Sequence, residues 1–283
     1  MNLQPMVDAH VHLWDPAQFR YAWLDAFPAL NQPFLLQDYA AANAGATVSK
    51  FICVECGCEP EQHLAETDWL SALAKGEPQL QGIVAHASLE KGAAVRADLE
   101  KLAARPLVKG IRRNLQGETD PAFCLAGEFV AGIQLLAEFN FTFDLCIRAE
   151  QLHSATELAR RAPQVAFVLN HFGKPDVNHG KIEPWATDLK RLAALPNVAC
   201  KISGLTTEAN WHKWQPHDLK FYFDWAREWF GPERLLFGSD WPVATLATSY
   251  LRWVETVQNL LSSTSESDQI KILQTNAERI YHV

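Results

Sequence analysis

Short runs rich in β-branched and aromatic residues recur along the chain, separated by longer stretches with apolar residues three and four apart. The runs are Val7–Val11, Val48–Val54, Leu80–Ala85, Leu107–Ile111, Phe141–Ile147, Val165–Leu169, Val198–Ile202 and Leu235–Phe237. Helical stripes are predicted over Gln62–Leu73, Ala94–Ala103, Glu128–Phe139, Gln151–Arg161, Trp185–Leu195 and Phe221–Phe230. In the first of these, Leu64, Trp69, Leu70 and Leu73 fall on one side. Strands alternating with helices predict a parallel sheet in one α/β domain, and eight strands suffice to close a (β/α)₈ TIM barrel with a filled interior. An open doubly wound sheet would need a Gly-rich turn after its first strand, but Val7–His12 runs into Leu13-Trp14-Asp15-Pro16 without a glycine. One barrel over residues 1–283 is therefore expected, with the Pro-rich segments Phe27–Pro33 and Pro175–Pro184 as loops over one end.

Barrel active sites are assembled from the C-terminal ends of the strands, so polar residues there carry more meaning than elsewhere. The first strand ends in His10-x-His12, and residues two apart on a strand share a face. Taken alone, that pair reads equally well as hydrogen-bonded core histidines. The other strand ends add Glu55, His86, Asn170-His171, Lys201-Ile202-Ser203 and Ser239-Asp240-Trp241. His10, His12, a later histidine and Asp240 form a nitrogen and carboxylate set that suits a divalent ion with open positions. Asp240 equally suits a general base acting on water, with or without a metal. On strand five Thr142, Asp144, Cys146 and Arg148 share one face, expected in the lumen, and Phe143, Leu145 and Ile147 share the other. Asp144 is then either a catalytic-layer residue or a lumen carboxylate paired with Arg or Lys below the site.

Charge narrows the partners. The 283 residues hold 33 acidic and 25 basic side chains, a net −8, and no Lys or Arg stripe, which disfavours nucleic acid and acidic membranes. No apolar stretch approaches the roughly 18 residues of a membrane span, and Met1–Met6 lacks the basic and apolar regions of a secretory signal, so a cytoplasmic location is expected. The six cysteines read as reduced, buried thiols; Cys53-Val-Glu-Cys56-Gly-Cys58 lacks the second cysteine pair of a zinc knuckle. His63, His153 and His282 are expected on solvated surfaces, and His179, His212 and His217 in loops after strands six and seven. Trp211 and Trp214 read as anchors of such a loop, and Lys174 and Lys201 as either structural contacts or substrate ligands.

Six stretches carry a resemblance when taken in order. They are Val7–Trp14, Glu66–Leu70, Lys109–Arg112, Asn170–Pro175, Cys200–Leu205 and Phe237–Val243. Together they resemble the amidohydrolase superfamily, in its branch of sugar-lactone hydrolases. The resemblance implies a distorted barrel that opens cyclic esters, with L-fucono-, L-rhamnono- or L-galactono-lactones as the substrate class. It places His10, His12, His171 and Asp240 around the attacking water and any metal, Zn²⁺ for instance, and Arg112 near the substrate. Some members of the branch work without a metal, and both readings stay open. Three positions depart from the usual pattern: Arg113 where relatives often have His, His86 where they often have Trp, and Glu55 where they often have Gln. These bear on substrate choice and metal affinity.

On this reading Asp240 takes and returns the proton, and carbonyl polarisation falls to a Zn²⁺ ion or to His171 and Arg112. Glu55, His86, Trp14, Trp241 and Lys201 are the candidates for binding a sugar lactone. Two alternatives remain: a dicarboxylate-lactone hydrolase or decarboxylase of the same superfamily, and a non-catalytic sugar-binding barrel. Oligomeric state is open, a homo-oligomer included.

Overall fold

All eight runs become strands: β1 Met6–Val11, β2 Val48–Val54, β3 Leu80–Ala85, β4 Val108–Ile111, β5 Thr142–Leu145, β6 Phe167–Leu169, β7 Val198–Ile202 and β8 Leu235–Phe237. The structure, a computed structural model, describes residues 4–283. Each strand pairs in parallel with the next, in chain order. The circle is joined beyond β8: His12 N–H donates to Trp241 O (2.7 Å) and Asp240 N–H to His10 O (2.9 Å). The result is a (β/α)₈ barrel whose last seam is a bridge between Val11 and Trp241 instead of a full ladder.

Alternation on the strands divides the interior in two. Phe143, Leu145, Phe167, Leu169, Ile202 and Phe237 face outward into the layer between sheet and helices. Val7, Ala9, Ile52, Val54, Val84, Val168 and Leu236 fill the lumen. The helices are α1 Leu36–Ala42, α2 His63–Leu73, α3 Arg96–Ala103, α4 Gly127–Leu135, α5 Leu152–Arg161, α6 Trp185–Ala193, α7 Pro216–Phe230, α8 Tyr250–Leu261, α9 Glu266–Ile270 and α10 Asn276–Tyr281. Ala277 and Tyr281 of α10 join the lumen residues, so the C-terminal helix closes the lower end of the barrel. Among the described residues no helix is long and apolar enough to cross a membrane.

Two local departures from the sequence expectation shape the site. The first is on β1, where Asp8 pairs with Phe51 and Val11 with Cys53, three steps against two. This β-bulge resets the alternation. Val7 and Ala9 point into the lumen, and a regular strand would then turn His10 and His12 outward. With the extra residue, Val11 joins the outer layer and both histidines face in. The second is α2, whose buried stripe is His63, Glu66, Thr67 and Leu70, while Leu64, Trp69 and Leu73 are only partly buried. His63 is thus buried, contrary to the solvated position expected for it; it stacks on His86 with ring centroids 3.5 Å apart.

Candidate active site

The strand ends bring four side chains to one point. Nε2 of His10, of His12 and of His171 each lies 3.7 Å from the same oxygen, Oδ1 of Asp240. All four residues are buried. Burial holds the His10 and His171 imidazoles well below their usual range and takes His12 down to about 3, with nearby cations adding to the effect. The three rings are therefore neutral, and their approaches to Asp240 are not ion pairs. Burial also raises the Asp240 carboxyl to about 7, against the pull of Lys174 and Arg112.

Second contacts orient the rings. His12 Nδ1 lies 2.8 Å from Val54 O, which can only accept, so the proton sits on Nδ1 and Nε2 is left as an acceptor. His10 Nε2 lies 3.2 Å from that acceptor, and its Nδ1 lies 3.2 Å from Lys201 Nζ. Where Lys201 donates to His10 Nδ1, the His10 proton sits on Nε2 and completes a chain from Lys201 through His10 and His12 to Val54. An ion bound at His10 Nε2 would replace that proton and end the chain there. His171 Nδ1 meets Ser203 Oγ at 2.9 Å. The donors also fit a divalent ion: ligand atoms of His10, His12 and Asp240 all lie within 4.8 Å of one another, and His171 stands beside them.

The backbone is unusual here. His171, Phe172 and Asp240 have φ of 54°, 55° and 58°, left-handed values that cost a non-glycine residue on the order of 1 kcal/mol and concentrate at functional sites. Two glycines make room. A Cβ on Gly238 would stand 2.9 Å from His10 Cβ, and one on Gly204, itself at φ +61°, would stand 2.5 Å from His171 Nδ1.

Arg112 joins this group from β4. Its Nε donates to Glu55 Oε1 (2.5 Å) and its Nη2 to Glu55 O, while Gly57 N–H holds Glu55 Oε2 (2.7 Å). Burial pushes the Glu55 carboxyl up, but Arg112, His86 and His63 outweigh it and hold the group at about 2. Both Glu55 oxygens are thus engaged, and among the described residues Arg112 Nη1 is left uncommitted. Lys201 is fully buried and ion-paired to Asp144 (2.6 Å), which also accepts from Tyr281 Oη (2.7 Å) and Asn170 Nδ2 (2.9 Å). Of the two readings of Asp144, the lumen carboxylate below the site is the one found.

The other expected binders stand further out. Trp14 is buried against Trp23 and Phe34, its indole N–H donating to Gln32 O (2.9 Å). Trp241 packs on Phe34 and Tyr39. His86 stacks on His63 beside Glu55, apart from the four-residue cluster. Lys174 Nζ reaches Gln116 Oε1 (2.5 Å) and lies 3.8 Å from Glu208. Three contributors were not singled out from sequence: Gln116, Glu208 and Asp8. Asp8 accepts from Ser239 N (2.8 Å), Tyr250 Oη (3.0 Å) and Tyr39 Oη (3.1 Å), and so braces the β1–β8 seam that carries His10 and Asp240. Its position two residues before His10 was the available signal.

Known proteins share this frame. The chain is 32% identical over 258 residues to an L-fucono-1,5-lactonase of Burkholderia ambifaria, covering 88% of this chain and 86% of the relative. It is 27% identical over 205 residues to an L-rhamnono-gamma-lactonase of Scheffersomyces stipitis, covering 62% and 60%. A crystal structure of an amidohydrolase from Burkholderia multivorans with bound zinc superimposes with a TM-score of 0.90 at 28% identity, over 99% of this chain and 100% of that one. The amidohydrolase pattern itself matches residues 7–283, which includes every residue of the cluster. The chain belongs to the amidohydrolase family and is a hydrolytic enzyme.

Proposed function

We propose that this enzyme opens a sugar-derived lactone, an aldono-lactone of the L-fucono, L-rhamnono or L-galactono type, to its sugar acid. The observation that carries the reading is the convergence of three neutral imidazoles on one Asp240 oxygen, with an uncommitted Arg112 donor in the same wall. The lactonases at about 30% identity support the reaction class.

Asp240 takes a proton from water as the water adds to the lactone carbonyl, a role suited to a carboxyl near 7. Arg112 Nη1 and His171 Nε2–H stabilise the oxygen that gains charge, each such donor contributing about 3–4 kcal/mol. The Ser203 hydroxyl donates to His171 Nδ1 in this tautomer, which leaves the Nε2 proton for the carbonyl oxygen. Asp240 then returns its proton to the ring oxygen as the ester bond breaks. A divalent ion such as Zn²⁺, held by His10, His12 and Asp240 with His171 beside them, would supply further carbonyl polarisation. Trp14 and Trp241 back the wall on which the sugar lies, and Glu55 acts by holding Arg112.

A pH-indicator screen over a panel of aldono-lactones, with and without a chelator, tests the reading. Hydrolysis of at least one neutral sugar lactone is expected, and lack of turnover across the whole panel would sink it. Loss of turnover on chelation shows that a bound metal is required; unchanged turnover assigns the chemistry to the side chains alone.

A further inference from the structure

The reaction leaves the buried polar face of α2 without a task. His63 and Glu66 occupy the inward stripe of this helix, where packing alone favours apolar residues. Cys58 Sγ lies 3.4 Å from His63 Nδ1. Ligand atoms of Cys58, His63 and Glu66 all lie within 4.8 Å of one another, and all three residues are buried. Glu66 is only 1% exposed, yet its Oε1 meets no donor in good hydrogen-bonding geometry; the Tyr21 hydroxyl faces the same carboxyl without a well-formed bond to it. Leaving a buried carboxylate oxygen unmatched costs free energy that a ligand can recover.

We propose that Cys58, His63 and Glu66 form a second metal site, for Zn²⁺, distinct from the His10–His12–Asp240 cluster. A thiolate, an imidazole and a carboxylate are the donor set that Zn²⁺ takes. Zn–S and Zn–N bonds of about 2.3 and 2.0–2.1 Å at a tetrahedral angle place sulfur and nitrogen about 3.5 Å apart, close to the 3.4 Å found. Charge argues the same way. Burial raises the Glu66 carboxyl to about 8 and pushes the Cys58 thiol up, and nearby acidic groups add to both shifts. Arg112, the nearby cation, is already engaged by Glu55. A divalent ion between the two acids reverses the opposition and draws off both protons. The Cys-x₄-His-x₂-Glu spacing spans the connection from β2 to α2, and this connection begins just after Glu55. Binding would clip the segment that holds Arg112 in place. The site does not depend on the lactone reading.

The full chain, stripped with a chelator and titrated with Co²⁺ as a spectroscopic substitute, gives the test. A near-ultraviolet thiolate-to-cobalt charge-transfer band is expected in the wild type. The band should vanish in Cys58→Ser and need about tenfold or more Co²⁺ in Glu66→Gln. It should persist in Asp240→Asn and in Cys56→Ser, whose thiol lies near His12. A wild type with no band, or a band that survives Cys58→Ser, overturns the proposal. Zinc-edge X-ray absorption of the zinc-loaded wild type and of Cys56→Ser gives an independent readout: a sulfur shell in both supports the site, and nitrogen and oxygen neighbours alone in either refute it.

Discussion

If Asp240 is the base proposed above, its raised carboxyl sets catalysis against stability. A carboxyl raised to about 7 is a good base near neutrality. It also means that the folded chain binds a proton which the unfolded chain has released above about pH 4. Between those values stability falls as pH rises, because the native state holds more protons than the unfolded one. Asp240→Asn removes both properties. Turnover should fall by about 10²–10⁴-fold. The stability advantage of the variant over the wild type, read from urea midpoints, should grow from pH 4 to pH 7 by up to about 4 kcal/mol and then level off. An advantage constant across that range would show that Asp240 is not a buried titrating group. The four residues of the cluster were legible because each ends a strand, and strand ends are where a barrel keeps its chemistry. Their partners were not. Glu55 reads as a sugar ligand until Arg112, fifty-seven positions later, is seen to take one of its oxygens.

Among elements, the strands were plain in the sequence and the devices that aim them were not. Runs of Val, Ile and Phe mark β1–β8, but nothing in Val7–Val11 announces a bulge, because alternation alone fits the same residues. Helix α1 has seven residues and one buried side chain, Tyr39, too few to display a period. Helix α7 begins at Pro216, five residues before its apolar stripe, in a polar first turn where Asp218 accepts from Gln215 N–H (2.8 Å). Helix α10 supplies the plug, and with it a column of contacts rising from Tyr281 through Asp144 and Lys201 to His10. Cutting the column low or high should differ in cost. Tyr281→Phe leaves one Asp144 oxygen short of a donor and should lose about 1–3 kcal/mol in urea denaturation, with KM unchanged. Lys201→Met strands a buried carboxylate and should lose about 3–5 kcal/mol. It also removes the donor to His10 Nδ1, so kcat should fall in this variant and hold in Tyr281→Phe. Equal stability losses in the two variants would argue against a buried ion pair at the centre of the lumen.

For the whole molecule, the net −8 matters less than the way cations near the barrel mouth are matched. Arg112 is held by Glu55, and Arg113 by Glu90 (3.1 Å) and Glu118 (2.7 Å). Lys201 is held by Asp144, and Lys174 stands 3.8 Å from Glu208. Among these residues only the exposed Arg148 has no acidic partner within ion-pair distance among the described residues, and its Nε donates to Gln116 O (3.2 Å). Apart from Arg148, a doubly charged lactone would have to draw such cations away from buried or half-buried carboxylates beside them, whereas a neutral polyol needs no net charge at all. The molecule's field adds a long-range repulsion of anions that salt screens within about 10 Å at 0.1 M. For a neutral aldono-lactone, kcat/KM should therefore change by less than about twofold between low and high salt. A pyrone dicarboxylate should turn over poorly at low salt and gain little at high salt, because the short-range mismatch remains after screening. Efficient dicarboxylate turnover that drops steeply with added salt would point to a cationic mouth instead, with the Arg113 ion pairs opening to receive the substrate.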